Sequence, residues 1–171
     1  MFDFSNKNIL VTGGTGGIGT AIAALFDQFK GNVIVTNSKL ADFKYTEDII
    51  TLLNELPKIV NVSSIWGDKT ISGRLCYTTS KSALIGMTKT LAVELAKYNI
   101  QVNTISPGFT NTKLTRSILS KDQINELVSK VPMGRMADPI EIARIVMFLC
   151  SKQNTYITGQ NIVVDGGFSI T

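Results

Sequence analysis

The sequence predicts an α/β fold, and three observations carry that expectation. Short runs of branched apolar residues, the pattern of buried strands, alternate with stretches whose apolar residues recur at helical spacing. A glycine-rich turn joins the first apolar run to the first amphipathic stretch. The 171 residues are 44% hydrophobic and 18% charged. A soluble domain of that composition and length buries roughly 70% of the surface its unfolded chain exposes, so a single domain over residues 1–171 is expected without disulfide or metal staples.

The elements follow in order. Asn8 to Thr12 reads as a short buried strand. Gly13-Gly-Thr15-Gly-Gly17-Ile18-Gly19 comes next, and Ile18, Ile22, Leu25, Phe26 and Phe29 recur at helical spacing behind it. Strand, glycine turn and helix in that order let backbone N–H groups approach a pyrophosphate at a helix N-terminus; a glycine-rich turn with no ligand is the other reading. Gly31 fits the end of this helix. Val33 to Thr36 reads as the second strand, followed by Asn37-Ser38-Lys39. No carboxylate stands there to repel a 2′-phosphate, and Lys39 is placed to pair with one, which favours NADP with NAD as the alternative; a solvated loop lysine is equally consistent.

Thr46 to Leu56 has a stripe of Ile49, Ile50, Leu52, Leu53 and Leu56 and stops at Pro57. Ile59 to Val62 is a strand leading into Ser63 and Ser64. The loop Ile65 to Cys76 holds the only tryptophan, Trp66, which either shapes a pocket or packs the loop down. A helix runs from Tyr77 to Tyr98, with Gly86 inside it, where glycine costs roughly 1 kcal/mol and close packing of another backbone is the expected reason. Gln101 to Ile105 is a strand, broken by Ser106-Pro107-Gly108, with Thr110 and Thr112 beyond. Lys121 to Val131 is a helix. Asp138-Pro139-Ile140-Glu141 combines an N-cap, a first-turn proline and an acid three residues on, and starts the helix ending near Cys150. Gly159 turns the chain into Asn161 to Val164, the last strand.

Composition excludes several functions. There is no histidine, which removes the serine–histidine–aspartate triad and histidine-ligated metals, and Cys76 and Cys150 have no ligand spacing, so no metal is expected. The net charge is +4, but the basic residues are scattered, as on a solvated surface and not on a nucleic-acid footprint. No apolar run reaches the ~18 residues of a membrane span, and Met1 to Asn8 does not resemble a signal peptide. The cytoplasm is the expected compartment.

The chemistry is expected around Tyr77 and Lys81. Four residues apart, they share one face of a helix, and an ammonium beside a phenol favours its ionised form. Ser64 lies thirteen residues before Tyr77, at the end of a strand. Serine and tyrosine hydroxyls brought together would hold a carbonyl oxygen between two donors. A tyrosine four residues from a lysine is also common on solvated helix faces; the motifs at both ends of the chain make the difference.

Thr12-Gly13-Gly-Thr15-Gly-Gly17-Ile18-Gly19, the Ser64 to Tyr77 spacing, Tyr77-x-x-x-Lys81, Pro107-Gly108 and the C-terminal tail together resemble the short-chain dehydrogenase/reductase family. Pro132 to Pro139 and Tyr156 to Gly167 are similar to the C-terminal part of its 3-oxoacyl-[acyl-carrier-protein] reductases. The resemblance implies a doubly wound parallel sheet, Rossmann-like but shortened, hydride transfer with a nicotinamide, a carbonyl or acyl-thioester substrate and a homo-oligomer. It implies Ser64, Tyr77 and Lys81 as catalytic residues. Gly13, Thr15, Gly17, Ile18, Gly19, Asn37, Ser38, Lys39, Asp42, Tyr77, Lys81, Pro107, Gly108, Thr110 and Thr112 are implied at the cofactor.

The chain departs from the family at its centre. Ala41-Asp42-Phe43 resembles the third strand with no crossover helix before it. Glu47 to Lys58 resembles the helix before the fourth strand, and Ile59 to Ser64 already resembles the fifth. The fourth strand, the helix after it and that helix's share of the dimer interface have no counterpart. Buried backbone left unpaired costs roughly 1 to 3 kcal/mol per group, so Ile59–Val62 is expected to slide in beside Ile9–Thr12. That slide would displace Ser64, Tyr77 and Lys81 from the glycine turn and leave a weak or inactive enzyme, or a relic that binds a nucleotide or a partner.

Overall fold

The structure, a computed structural model, describes residues 2–11, 15–35 and 58–171. β1 (Asn8–Val11) enters the glycine turn, α1 (Gly17–Gln28) follows, and β2 (Asn32–Val35) pairs with β1 in parallel, from Asn8↔Asn32 to Val11↔Val35. A parallel pair needs a crossover, and α1 supplies it. β3 (Lys58–Val62), β4 (Gln101–Pro107) and β5 (Asn161–Val164) form a second parallel sheet with β4 central. Four helices accompany these strands among the described residues: α2 (Leu75–Leu95), α3 (Lys113–Ile118), α4 (Lys121–Ser129) and α5 (Pro139–Cys150).

Strand alternation sorts the core. Val60, Val62, Ile105, Ile162 and Val164 pack with Val146, Met147 and Leu149 of α5, and through them with Ile22, Leu25 and Phe26 of α1. Ile59 and Val102 meet Leu91, Ala92 and Leu95 of α2 on the opposite face. Helices on both faces of a parallel sheet make the arrangement doubly wound, as the sequence implies. β4 is buried at six of its seven positions, as a strand covered on two faces and two edges must be.

One expectation is overturned. β3 does not pair with β1: the two lie in separate sheets. Packing of α1 on α5, and of α5 on β3, holds the sheets apart from one side. Their facing edges border a cavity of about 1180 Å³, lined by Ile9 and Val11 on one side and Lys58 to Val62 on the other. A cavity of that size admits water, so the edge groups need not be buried unsatisfied, which is the step the pairing argument left out. The displacement of Ser64, Tyr77 and Lys81 that the slide required has no basis.

Smaller differences have local causes. The helix at Tyr77 begins two residues earlier, at Leu75. β4 runs through the expected break because Ser106 and Pro107 stay in register with Val163 and Val164. The left-handed residue after α1 is Lys30, with φ 65°, and not Gly31. Gly31 is required for another reason: a Cβ there would stand 2.5 Å from Ile9 Cδ1. At Gly86 a Cβ would meet nothing within 4 Å, so no backbone among the described residues explains that glycine. Asp138 and Glu141 form the expected capping box at the start of α5. The strand expected at Val33–Thr36 ends at Val35; Thr36, the Ala41–Phe43 segment and the Thr46–Leu56 helix lie outside the described residues. No helix among the described residues is long and apolar enough to cross a membrane, and none of their acidic and cysteine side chains cluster as a metal site.

Candidate active site

The carboxyl ends of β1, β3 and β4 open into the same cavity, as they must where parallel strands feed loops at one edge of a sheet. Ser64 follows β3 with extended backbone, φ −165° and ψ 157°, and is buried. It caps a single 3-10 turn, Ile65–Gly67, by accepting the Trp66 N–H at 3.2 Å. That bond occupies a lone pair and leaves the serine proton free to be donated.

Tyr77 sits in the first turn of α2, 41% exposed, so its phenol is open to a ligand. One turn on, the Lys81 ammonium lies 5.7 Å from the centre of the Tyr77 ring and donates to the Val62 carbonyl at 3.1 Å. The Arg74 guanidinium lies 5.8 Å from the same ring. The end of β3 and the start of α2 are clamped together: Ser63 Oγ donates to the Lys81 carbonyl at 2.9 Å, and Ser82 Oγ to the Gly67 carbonyl at 2.6 Å. Gly67 makes this approach feasible, since a Cβ there would stand 2.8 Å from Ile85 Cδ1 and 2.9 Å from Ser63 Oγ. Deeper in, Asn61 Nδ2 donates to Thr88 Oγ1 at 2.8 Å, and Thr104 Oγ1 to Thr88 Oγ1 at 2.6 Å. Register between β3, α2 and β4 is thus fixed by a buried polar chain directly beneath the cluster.

The two ends of the chain meet across the cavity. A Cβ on Gly17 would stand 2.7 Å from Thr112 Cγ2 and 2.8 Å from Thr112 Cβ, so the start of α1 lies against the loop after β4. α1 has no side-chain cap at Gly16 and no acid in its first turn. Its N-terminal N–H groups and positive end therefore face the cavity with no cap or first-turn carboxylate from the helix itself in competition. Thr112 caps α3, accepting the Thr115 N–H at 3.1 Å. Gly108 donates to the Val164 carbonyl at 2.9 Å, and a Cβ there would collide with Asp165 at 2.6 Å. Burial pushes the Asp165 carboxyl up, but the hydrogen bonds from Ser169 and Gly167 outweigh it and hold the group below the ordinary carboxylate range.

Gly17, Ile18, Gly19, Ser64, Tyr77, Lys81, Pro107, Gly108, Thr110 and Thr112 all line this one cavity. Thr15 is an exposed turn residue outside the lining. Gly13, Asn37, Ser38, Lys39 and Asp42 lie outside the described residues. Sequence reading left out Arg74, although it stands three residues before Tyr77, and gave no sign of an aromatic cluster of Trp66, Phe109 and Phe168. These rings pack edge to face with centroids 5.0 to 6.3 Å apart, and Trp66 and Phe109 line the cavity beside Ser64. No local pattern links positions 66, 109 and 168; only the fold assembles them.

Parallel strands covered on both faces, with a glycine turn and a serine–tyrosine–lysine cluster at their carboxyl ends, define a doubly wound α/β protein with its ligand cleft at the top of the sheet. A family model described as enoyl-(acyl carrier protein) reductase matches residues 41–169. The 3-oxoacyl-[acyl-carrier-protein] reductase of Rickettsia conorii is 30% identical over 238 residues, covering 98% of each chain. That of Thermotoga maritima is 46% identical over 112 residues, 66% of this chain and 45% of its own, so the chain spans less than half of this relative's length. The crystal structure of a short chain dehydrogenase family protein from Francisella tularensis superimposes with a TM-score of 0.81 at 26% identity, over 96% of this chain and 99% of that one. The chain belongs to the short-chain dehydrogenase/reductase family.

Proposed function

We propose that this protein is an NADP-dependent oxidoreductase that reduces a carbonyl group, with a 3-oxoacyl thioester as the leading substrate class and NAD as the alternative cofactor. The observation that carries the reading is the convergence of the glycine turn, Ser64, Tyr77, Lys81 and the Pro107–Thr112 loop on one cavity. A relic would have no physical need to keep these groups converged.

The residues present fit a dinucleotide. The uncapped start of α1 suits a pyrophosphate, Gly17 lets backbone come close, and Asn37, Ser38 and Lys39 carry no acid against a 2′-phosphate. Held by these residues, a nicotinamide would supply the hydride for reduction of a carbonyl carbon. The Ser64 and Tyr77 hydroxyls hold the carbonyl oxygen, and Tyr77 donates its proton as negative charge gathers there. Lys81 offsets the charge left on the phenol and would be the residue to hold the ribose of a bound dinucleotide. Trp66 and Phe109 give the substrate an apolar wall.

A role in fatty acid synthesis, a cytoplasmic location and a homo-oligomeric assembly go with this reading. The open side of Gly86 on α2 is a surface such an assembly can use. The test is NADPH oxidation by the 171-residue chain with a 3-oxoacyl thioester, alongside two variants. Lys81→Ala is expected to lower both turnover and cofactor affinity, because one ammonium serves both. Asn37→Asp is expected to move preference toward NAD. Absence of NADPH oxidation with acyl and small carbonyl substrates alike contradicts the proposal.

A further inference from the structure

The gap between the two sheets has the shape of a receptor for a strand. All five residues of β3 line the cavity, and side chains alternate between the faces of a strand, so the cavity runs along the edge of β3 and not against one face. β3 is half-buried at all five positions, whereas β4 is buried at six of seven. β3 is paired on its other edge with β4, and β1 on its other edge with β2. The two edges facing the cavity have no ladder partner among the described residues. They also run the same way along it. Lys7 and Lys58, at the starts of β1 and β3, line one end; Gly17 and Ser64, just beyond their finishes, line the other.

We propose that this slot takes an extended apolar strand from a second polypeptide, four or five residues long like β1 and β3, parallel to both and led by an acidic residue. Only extended backbone answers two rows of N–H and C=O groups at once; a lipid or small apolar ligand would fill the space and leave both rows unanswered. Branched apolar side chains suit its surroundings, since Ile22, Phe26 and Val146 close one side. The acidic lead follows from the entrance, where Lys7 and Lys152 stand against Asp3, while the Lys58 ammonium donates to Gln101 Oε1 and the Asn154 carbonyl. Room for an added segment is present in a relative: the match to the Rickettsia conorii reductase spreads 98% of this chain over 238 residues, so that relative carries a stretch with no counterpart here. The inserted strand would end beside Gly17 and Ser64, joining the sheets at the candidate active site.

The probe is an acetylated synthetic peptide, Asp-Thr-Val-Ile-Val-Thr-amide, titrated into the full chain. Its control is the same peptide N-methylated at alternate residues, which removes the donors along one edge. The expected result is one-to-one binding by calorimetry, weakened about tenfold or more by N-methylation. Slowed hydrogen exchange is expected at the β1 and β3 amides that point away from β2 and β4. No binding at about 1 mM peptide would overturn the proposal. Equal binding of the N-methylated peptide would do so too, as it would show apolar sequestration only. Protection of those same amides in the chain alone would show that the protein's own residues fill the slot, and would likewise overturn it. None of these readouts involves hydride transfer, so the outcome is independent of the proposed activity.

Discussion

The part of the chain from β3 onward and the part from β1 to β2 use the same building pattern with different degrees of closure. β4 lies between two strands and two layers of helix, and a buried polar chain through Asn61, Thr88 and Thr104 fixes its register. Among the described residues β1 has one strand neighbour and one helix of its own, and it joins the rest through the packing of α1 on α5. One half is held by sheet hydrogen bonds, and the seam between the halves is held by helix packing. The candidate active site straddles that seam: the glycine turn belongs to one side, and Ser64, Tyr77 and Lys81 to the other. The spacing between the glycine turn and the Ser64, Tyr77 and Lys81 cluster therefore depends on the packing of α1 on α5.

Substitutions separate the two halves. Ile105→Ala removes a fully buried side chain from the middle of β4 and is expected to cost about 2–5 kcal/mol of stability, read as a drop in urea midpoint. Ile9→Ala, at a half-buried position of β1, is expected to cost about 1–2 kcal/mol. Equal losses would mean that the two halves are equally closed.

The seam itself is sharpened at Gly17. Gly17→Ala drives a methyl group into Thr112 and is expected to weaken nucleotide binding about tenfold or more and to lower the unfolding midpoint, since such overpacking costs about 1–3 kcal/mol. A fall in stability with nucleotide affinity intact would put the contact in the scaffold and not in the site.

The smallest effect concerns the start of α5, the helix that bridges the halves. The Arg135 guanidinium, bound to both Glu141 oxygens at 2.7 and 2.8 Å, together with the Asp138 N–H, holds the Glu141 carboxyl down at about 2 from an ordinary 4.5. A carboxyl depressed on folding stabilises the protein above its unfolded value and loses that contribution as pH falls through its folded one. The contribution from Glu141 is thus whole above about pH 4.5 and fades toward pH 2. Glu141→Gln should flatten the loss of stability over that window in a set of urea titrations. An unchanged slope would remove the pair from the acid response.

Most of the strands and helices were legible because burial writes a period into the sequence: alternation sorts Ile59 from Val60, and a helical stripe marks Ile22, Leu25 and Phe26. The capping box at Asp138 and Glu141 was legible because it is local chemistry. The separation of β1 from β3 was not, since it is set by how α1 meets α5 and by a cavity that neither strand's sequence encodes. That Ser64, Tyr77, Lys81 and the Pro107–Thr112 loop line one cavity accords with what the family resemblance implied; their roles are what the proposed experiments test. Arg74, Ser63 and the Trp66–Phe109–Phe168 cluster were not legible, because each becomes significant only through neighbours distant in the chain.

The central claim is that the phenol of Tyr77 delivers the proton in a cavity whose nucleotide end is built by other residues. The direct measurement is Tyr77→Phe, with NADPH oxidation and NADPH affinity determined on the same preparation. The expected result is loss of turnover by about a hundredfold or more with cofactor affinity within a few fold, because the hydroxyl moves a proton and holds no phosphate. Full turnover in the phenylalanine variant would contradict the claim.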